Sequence, residues 1–151
     1  MAFKRNTLTA AGLALGALLI AACASEPPPA PPEPTLDEAE FQGMLKDATG
    51  PIGSKEVQAE EAEFAAILAR DDLSIQQRAQ TYINRAIERG SRGSSPICAV
   101  SDYRKGLALY PDHPGRKAIE DDITYQLDRQ KKYPKNFVGP DAYADCDPLA
   151  E

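Results

Sequence analysis

Past Pro34, apolar side chains recur three and four residues apart in one segment after another, and most of the Pro and Gly residues fall at the breaks between segments. That spacing puts the apolar groups on one face of an α-helix and is incompatible with the two-residue period of a half-buried strand. Thr35-Leu-Asp-Glu38 reads as a capping box, followed by Phe41, Met44, Leu45 and Ala48 as an apolar stripe that Gly50-Pro51 stops. A second helix is expected from about Ser54 to Arg70, with Val57, Phe64, Ile67 and Leu68 inward and Glu56, Glu60, Glu61 and Glu63 outward on a solvated face. Ser74-Ile-Gln-Gln77 is another capping box and opens the clearest helix, with Ile75, Ala79, Tyr82, Ile83, Ala86 and Ile87 on one face, closed by Gly90.

Ser91 to Ser95 reads as a polar turn, in which Ser95 can cap a fourth helix with Pro96 at its first position, where a missing N–H costs nothing. That helix carries Ala99, Tyr103, Gly106, Leu107 and Tyr110 inward and ends at Pro111. A fifth, over roughly Gly115–Lys132, turns Ile119, Ile123 and Leu127 inward. The expected fold class is therefore all-α, with about five helices in a domain over residues 35–133, followed by an acidic, loose tail over 134–151.

The N-terminus has a different design. Lys4 and Arg5 precede an apolar run of thirteen residues, Leu8 to Ile20, which Ala21-Ala22-Cys23 closes. Thirteen helical residues span about 20 Å, short of a bilayer core of about 30 Å, and the charge–apolar–small order is that of a secretory signal over residues 1–22. Ile20-Ala21-Ala22-Cys23 resembles the lipobox of bacterial lipoproteins. The resemblance implies that Cys23 receives a diacylglyceryl group and that cleavage occurs before it, the new amine being often acylated too in this family. The bland alternative is ordinary cleavage after Ala22 with Cys23 incidental. Should the source be Gram-negative, Ala24 lacks the Asp this family uses for inner-membrane retention, which implies the outer membrane, facing the periplasm. Six of the thirteen Pro residues fall between Pro27 and Pro34, so residues 23–34 read as an extended spacer after the lipidated Cys.

Formal net charge is −6, and loss of Lys4 and Arg5 with the signal takes it to −8. Such a chain is a poor ligand for nucleic acid, whose binding rests on Lys and Arg at phosphates, and its contact with a membrane must come from the anchor. The sequence holds no Gly-rich phosphate loop, no G-x-S-x-G elbow, no paired His spacing and no C-x-x-C. His113, the only histidine, sits in the turn Asp112-His-Pro-Gly115. No enzymatic activity, cofactor, metal or small-molecule substrate is expected. Cys98 and Cys146 remain once Cys23 is lipidated, an even pair in a compartment that permits disulfides. They read either as a bridge pinning the tail or as one buried thiol and one free one.

Gln80 through Pro111 resembles a tetratricopeptide repeat (TPR), the helix–turn–helix unit of about 34 residues, best matched over 79–112. Tyr82 and Ala86 take the aromatic and small places of the first helix, and Ala99, Tyr103, Gly106 and Pro111 follow at the family's spacings on the second. The turn carries one extra residue, Arg89 stands where an aromatic is usual, and an earlier half-repeat around Phe64 is degenerate because Glu60 takes its small-residue place. The resemblance implies a groove lined by first helices that accepts a peptide or a partner helix. Gln77, Arg78, Thr81, Asn84, Arg85 and Glu88 are expected on the exposed side of the third helix, with Asn84, Arg85 and Glu88 the foremost partner-binding candidates, then Arg78 and Thr81; the plain alternative is a solvated helix face. Two functions follow as expectations: a protein-binding adaptor in an envelope assembly, or a structural spacer between membrane and wall without a specific client.

Overall fold

The structure, a computed structural model, describes residues 36–49, 57–91, 95–134, 136–137 and 146. The signal region, Cys23, the Pro-rich spacer, Thr35, the Gly50-Pro51 stop and most of the tail lie outside the described residues. All regular structure among the described residues is helical: α1 Glu38–Thr49, α2 Val57–Leu68, α3 Ile75–Ser91, α4 Pro96–Leu109 and α5 Arg116–Lys132. None of these helices is long and apolar enough to cross a membrane.

The helix starts are set by local hydrogen bonds. At α1 the cap is Asp37, whose Oδ1 accepts from the Ala39 and Glu40 N–H groups at 2.8 and 3.2 Å. The box at α3 closes in both directions: Gln77 N–H donates to Ser74 Oγ and Ser74 N–H to Gln77 Oε1, each at 3.0 Å. Ser95 stands at the N-cap of α4 with Pro96 behind it, but its hydroxyl donates to Cys98 Sγ (3.1 Å) rather than capping a backbone N–H. Before α5, His113 Nδ1 accepts from the Gly115 N–H at 3.0 Å, so the lone histidine serves the turn. Gly90 does not end α3, which runs on to Ser91.

Packing runs outward from α3, which touches α1, α2 and, most extensively, α4; α5 lies against α4. One apolar cluster joins Leu36, Phe41, Leu45 and Ala48 to Phe64, Ile67 and Leu73. A second joins Ile83 and Ala86 of α3 to Tyr103 of α4 and Ile119 of α5, with Leu107 and Ile123 packed against it. The expected inward face of α1 is thus the observed one; α4 and α5 bury Ala99, Tyr103, Gly106 and Ile119 as expected, but α4 also buries Cys98, Val100, Ser101 and Asp102, and α5 buries Gln126. Four assignments differ. Ile75 and Val57, each the first residue of its helix, are 61% and 37% exposed, and Ile87 is 47% exposed. Glu60 is buried rather than outward: four residues before Phe64, it shares that residue's face.

Gly106 lets α3 and α4 approach closely. A Cβ there would lie 2.7 Å from Ile83 Cγ1 and 3.0 Å from the Ala79 carbonyl oxygen. Overpacking of this kind costs about 1–3 kcal/mol, against a gain of about 0.5–1 kcal/mol for replacing a helical glycine with alanine. Gly106→Ala is therefore expected to lower the urea midpoint, by a net loss of about 1–2 kcal/mol; an unchanged or higher midpoint would mean that the helices yield freely. At the start of α4, Cys98 is disulfide-bonded to Cys146, with 5.1 Å between Cα atoms. The tail is held to the helices at that point.

Candidate functional site

The five residues expected to face a partner do not form one exposed surface. Thr81 and Arg85 are 0% and 1% exposed, and Gln77 beside them is also buried. Thr81 Oγ1 donates to the Gln77 carbonyl at 2.8 Å. Arg78 is half-buried and closes the end of α2, Nη1 donating to the Leu68 carbonyl and Nη2 to the Arg70 carbonyl, both at 2.6 Å. Asn84 and Glu88 are half-buried, and Asn84 Nδ2 donates to the Gln80 carbonyl at 2.9 Å. The physical reason is the central place of α3. With α1 and α2 on one side and α4 on another, its polar side chains are enclosed and find partners inside.

Arg85 belongs to a buried ion network. Its Nε and Nη2 donate to Asp102 Oδ2 and Oδ1 at 2.8 and 2.9 Å, a two-point fork. Arg89 Nη1 donates to the same Oδ2 at 2.8 Å, and its Nε and Nη2 reach Glu61 at 2.8 and 2.5 Å. Two guanidiniums thus meet two carboxylates, with Asp102 0% and Arg89 1% exposed. Burial pushes the Asp102 carboxyl up, and the hydrogen bonds and charges of Arg85 and Arg89 pull against it. The network ties α2, α3 and α4 together. Enclosed as it is, it supports the fold and offers little to an incoming partner.

An open cleft among the described residues lies elsewhere. Between the last turns of α3 and the second half of α5 is a cleft of about 350 Å³, near the small end of ligand sites. Ile87, Gly90 and Ser91 form its α3 wall, and Asp122, Tyr125, Gln126 and Arg129 its α5 wall, with Tyr103 of α4 also lining it. Ile87 and Tyr125, 47% and 57% exposed, present apolar surface to solvent. Gly90 leaves room for α5, since a Cβ would lie 2.5 Å from Gln126 Nε2. Arg129 Nη1 donates to the Gly90 carbonyl at 2.8 Å and to Gln126 Oε1 at 2.9 Å. Its guanidinium lies over the rings of Tyr125 and Phe137, 5.5 and 5.1 Å from their centroids. The Tyr103 hydroxyl donates to Asp122 Oδ2. Burial, then that hydrogen bond and the Asp122 charge, push the Tyr103 phenol well above its ordinary value, so it stays a donor.

Sequence reasoning missed this cleft because it took α5 for its apolar stripe alone. A signal was present: Asp122, Tyr125, Gln126 and Arg129 stand three, four and seven apart, a second stripe beside Ile119 and Ile123. Asp102 was likewise readable as a carboxylate amid the small and apolar residues of α4, opposite two arginines four apart on α3. No family model, curated protein or solved structure matches this chain.

Proposed function

We infer that this chain is a lipid-anchored, TPR-like adaptor of a bacterial cell envelope, which holds a protein or peptide partner in the cleft between α3 and α5. The observation that carries this reading is the pair of exposed apolar side chains, Ile87 and Tyr125, on facing walls of a cleft that also presents an arginine. Isolated exposed apolar residues are ordinary; two flanking one concavity are a feature of recognition sites. The arrangement of first helices supports the repeat resemblance. Gln42 of α1 donates to Gln80 of α3 at 3.4 Å, and Arg129 of α5 reaches Gly90 of α3, so α1, α3 and α5 neighbour one another in turn. The lipobox-like Ile20-Ala21-Ala22-Cys23 supplies the anchor and the Pro-rich run the spacer.

The test is in-cell cross-linking with mass spectrometry, comparing wild type, the cleft variant Ile87→Ala/Tyr125→Ala, and Cys23→Ala. Both cleft positions are exposed, so the variant is expected to fold. One partner enriched by wild type and lost from the cleft variant, with Cys23→Ala released from the membrane fraction, is the expected result. Identical contact lists from wild type and cleft variant, with no enriched partner, would make the chain a spacer.

A further inference from the structure

The cleft is polarised along α5. At one end stands Arg129, with Nη1 engaged by Gly90 and Gln126 while Nε and Nη2 have no protein acceptor among the described residues. Its guanidinium is held against two aromatic rings, which orients the fork before any ligand arrives. At the other end, Asp122 uses Oδ2 on the Tyr103 hydroxyl, and its Oδ1 has no donor among the described residues. Seven helical residues separate the two, about 10 Å along the axis, and Ile87 and Tyr125 bring apolar surface to the same cleft. A site with a donor fork at one end, an acceptor at the other and apolar walls selects a ligand of matching polarity.

We propose that the cleft recognises an extended segment of a partner protein in which an acidic side chain is followed, two residues on, by a bulky apolar one and then by a basic one. In extended chain, residues two apart share a face about 7 Å apart. The acidic group therefore meets Arg129 as a two-point pair, while the apolar side chain seats against Ile87 and Tyr125. The flexible basic side chain reaches Asp122 Oδ1, and that same carboxylate repels a second acidic residue placed there. This assignment rests on the adaptor reading and names the chemistry of its partner.

The probe is the peptide acetyl-Glu-Thr-Leu-Thr-Lys-amide, titrated into the full chain in detergent with the isoleucine methyl groups isotope-labelled for NMR. The expected result is a saturable shift of the Ile87 methyl, weakened at least tenfold when Gln replaces Glu in the peptide. Arg129→Gln is expected to bind the two peptides equally. Because Arg129 also braces Gly90, Tyr125→Ala is measured beside it: that exposed ring can go without disturbing the fold, and binding of the Glu peptide is expected to weaken severalfold. No shift at Ile87, equal binding of the Glu and Gln peptides by wild type, or a preference that survives Arg129→Gln would overturn the proposal. The adaptor reading fails separately. A cross-linked partner whose contacts avoid α5 would keep the adaptor and discard this site, whereas the absence of any partner would discard both.

Discussion

Replacing Asp102 with alanine is expected to cost about 3–5 kcal/mol of folding stability, the usual loss when one member of a buried ion pair is removed. Asp102 receives three hydrogen bonds, two from Arg85 and one from Arg89. Without it two guanidiniums, each 1% exposed, lose the acceptor they share, while Arg89 keeps its bonds to Glu61. Domains of this size are stable by only about 5–15 kcal/mol, so the variant is expected to be partly unfolded at 37 °C. Urea denaturation followed by circular dichroism measures the loss. The companion variant Arg85→Met/Arg89→Leu/Asp102→Leu separates charge from packing. If the single variant fails because uncompensated charge is buried, the apolar triple is expected to recover most of the stability. A loss below 1 kcal/mol in Asp102→Ala would mean that water reaches the arginines and that the network is not sealed.

The second large effect is expected from Cys146→Ala. The bond to Cys98 closes a loop with a sequence separation of 48, and the chain-entropy account assigns such a loop about 4 kcal/mol. The loss is expected to act chiefly on the unfolded state, so the native circular dichroism spectrum stays the same while the urea midpoint falls. Reduction of the wild type with dithiothreitol should produce the same drop, and Cys146→Ala should then be indifferent to the reductant. Equal midpoints for oxidised and reduced wild type would show that the bridge does not restrain the unfolded chain. The Cys98 sulfur, fully buried and hydrogen-bonded by Ser95 Oγ, makes that end of the bridge hard to reach before the domain opens.

The two effects have different origins, and so does their visibility in sequence. The pairing of Cys98 with Cys146 was one of two open alternatives, because an even count permits a bridge without placing the sulfurs together. The ion network was not anticipated. Arg85, expected to face a partner, instead forks onto Asp102, 17 residues further along the same chain. Arg89 was noted only as a departure from an aromatic place, and in the structure it occupies that interior position as an ion-paired side chain.

Local chemistry was sufficient for much of this molecule. Apolar spacing, caps and prolines act within four residues of one another, and they specify five helices nearly at their observed limits, down to the reciprocal Ser74–Gln77 box. Small residues at Ala86, Ala99 and Gly106 likewise announce that α3 and α4 pack closely, because backbone approach needs the absence of side chain. What a periodic pattern cannot specify is how many neighbours surround a helix. A helix touched on one side shows its polar stripe to water; α3, enclosed by α1, α2 and α4, turns the same stripe inward, and Thr81 and Arg85 become interior groups. The cleft is of the same kind. Ile87, Tyr125 and Arg129 come from helices that each satisfy their own local rules, and they face one another only because α5 folds back across the end of α3.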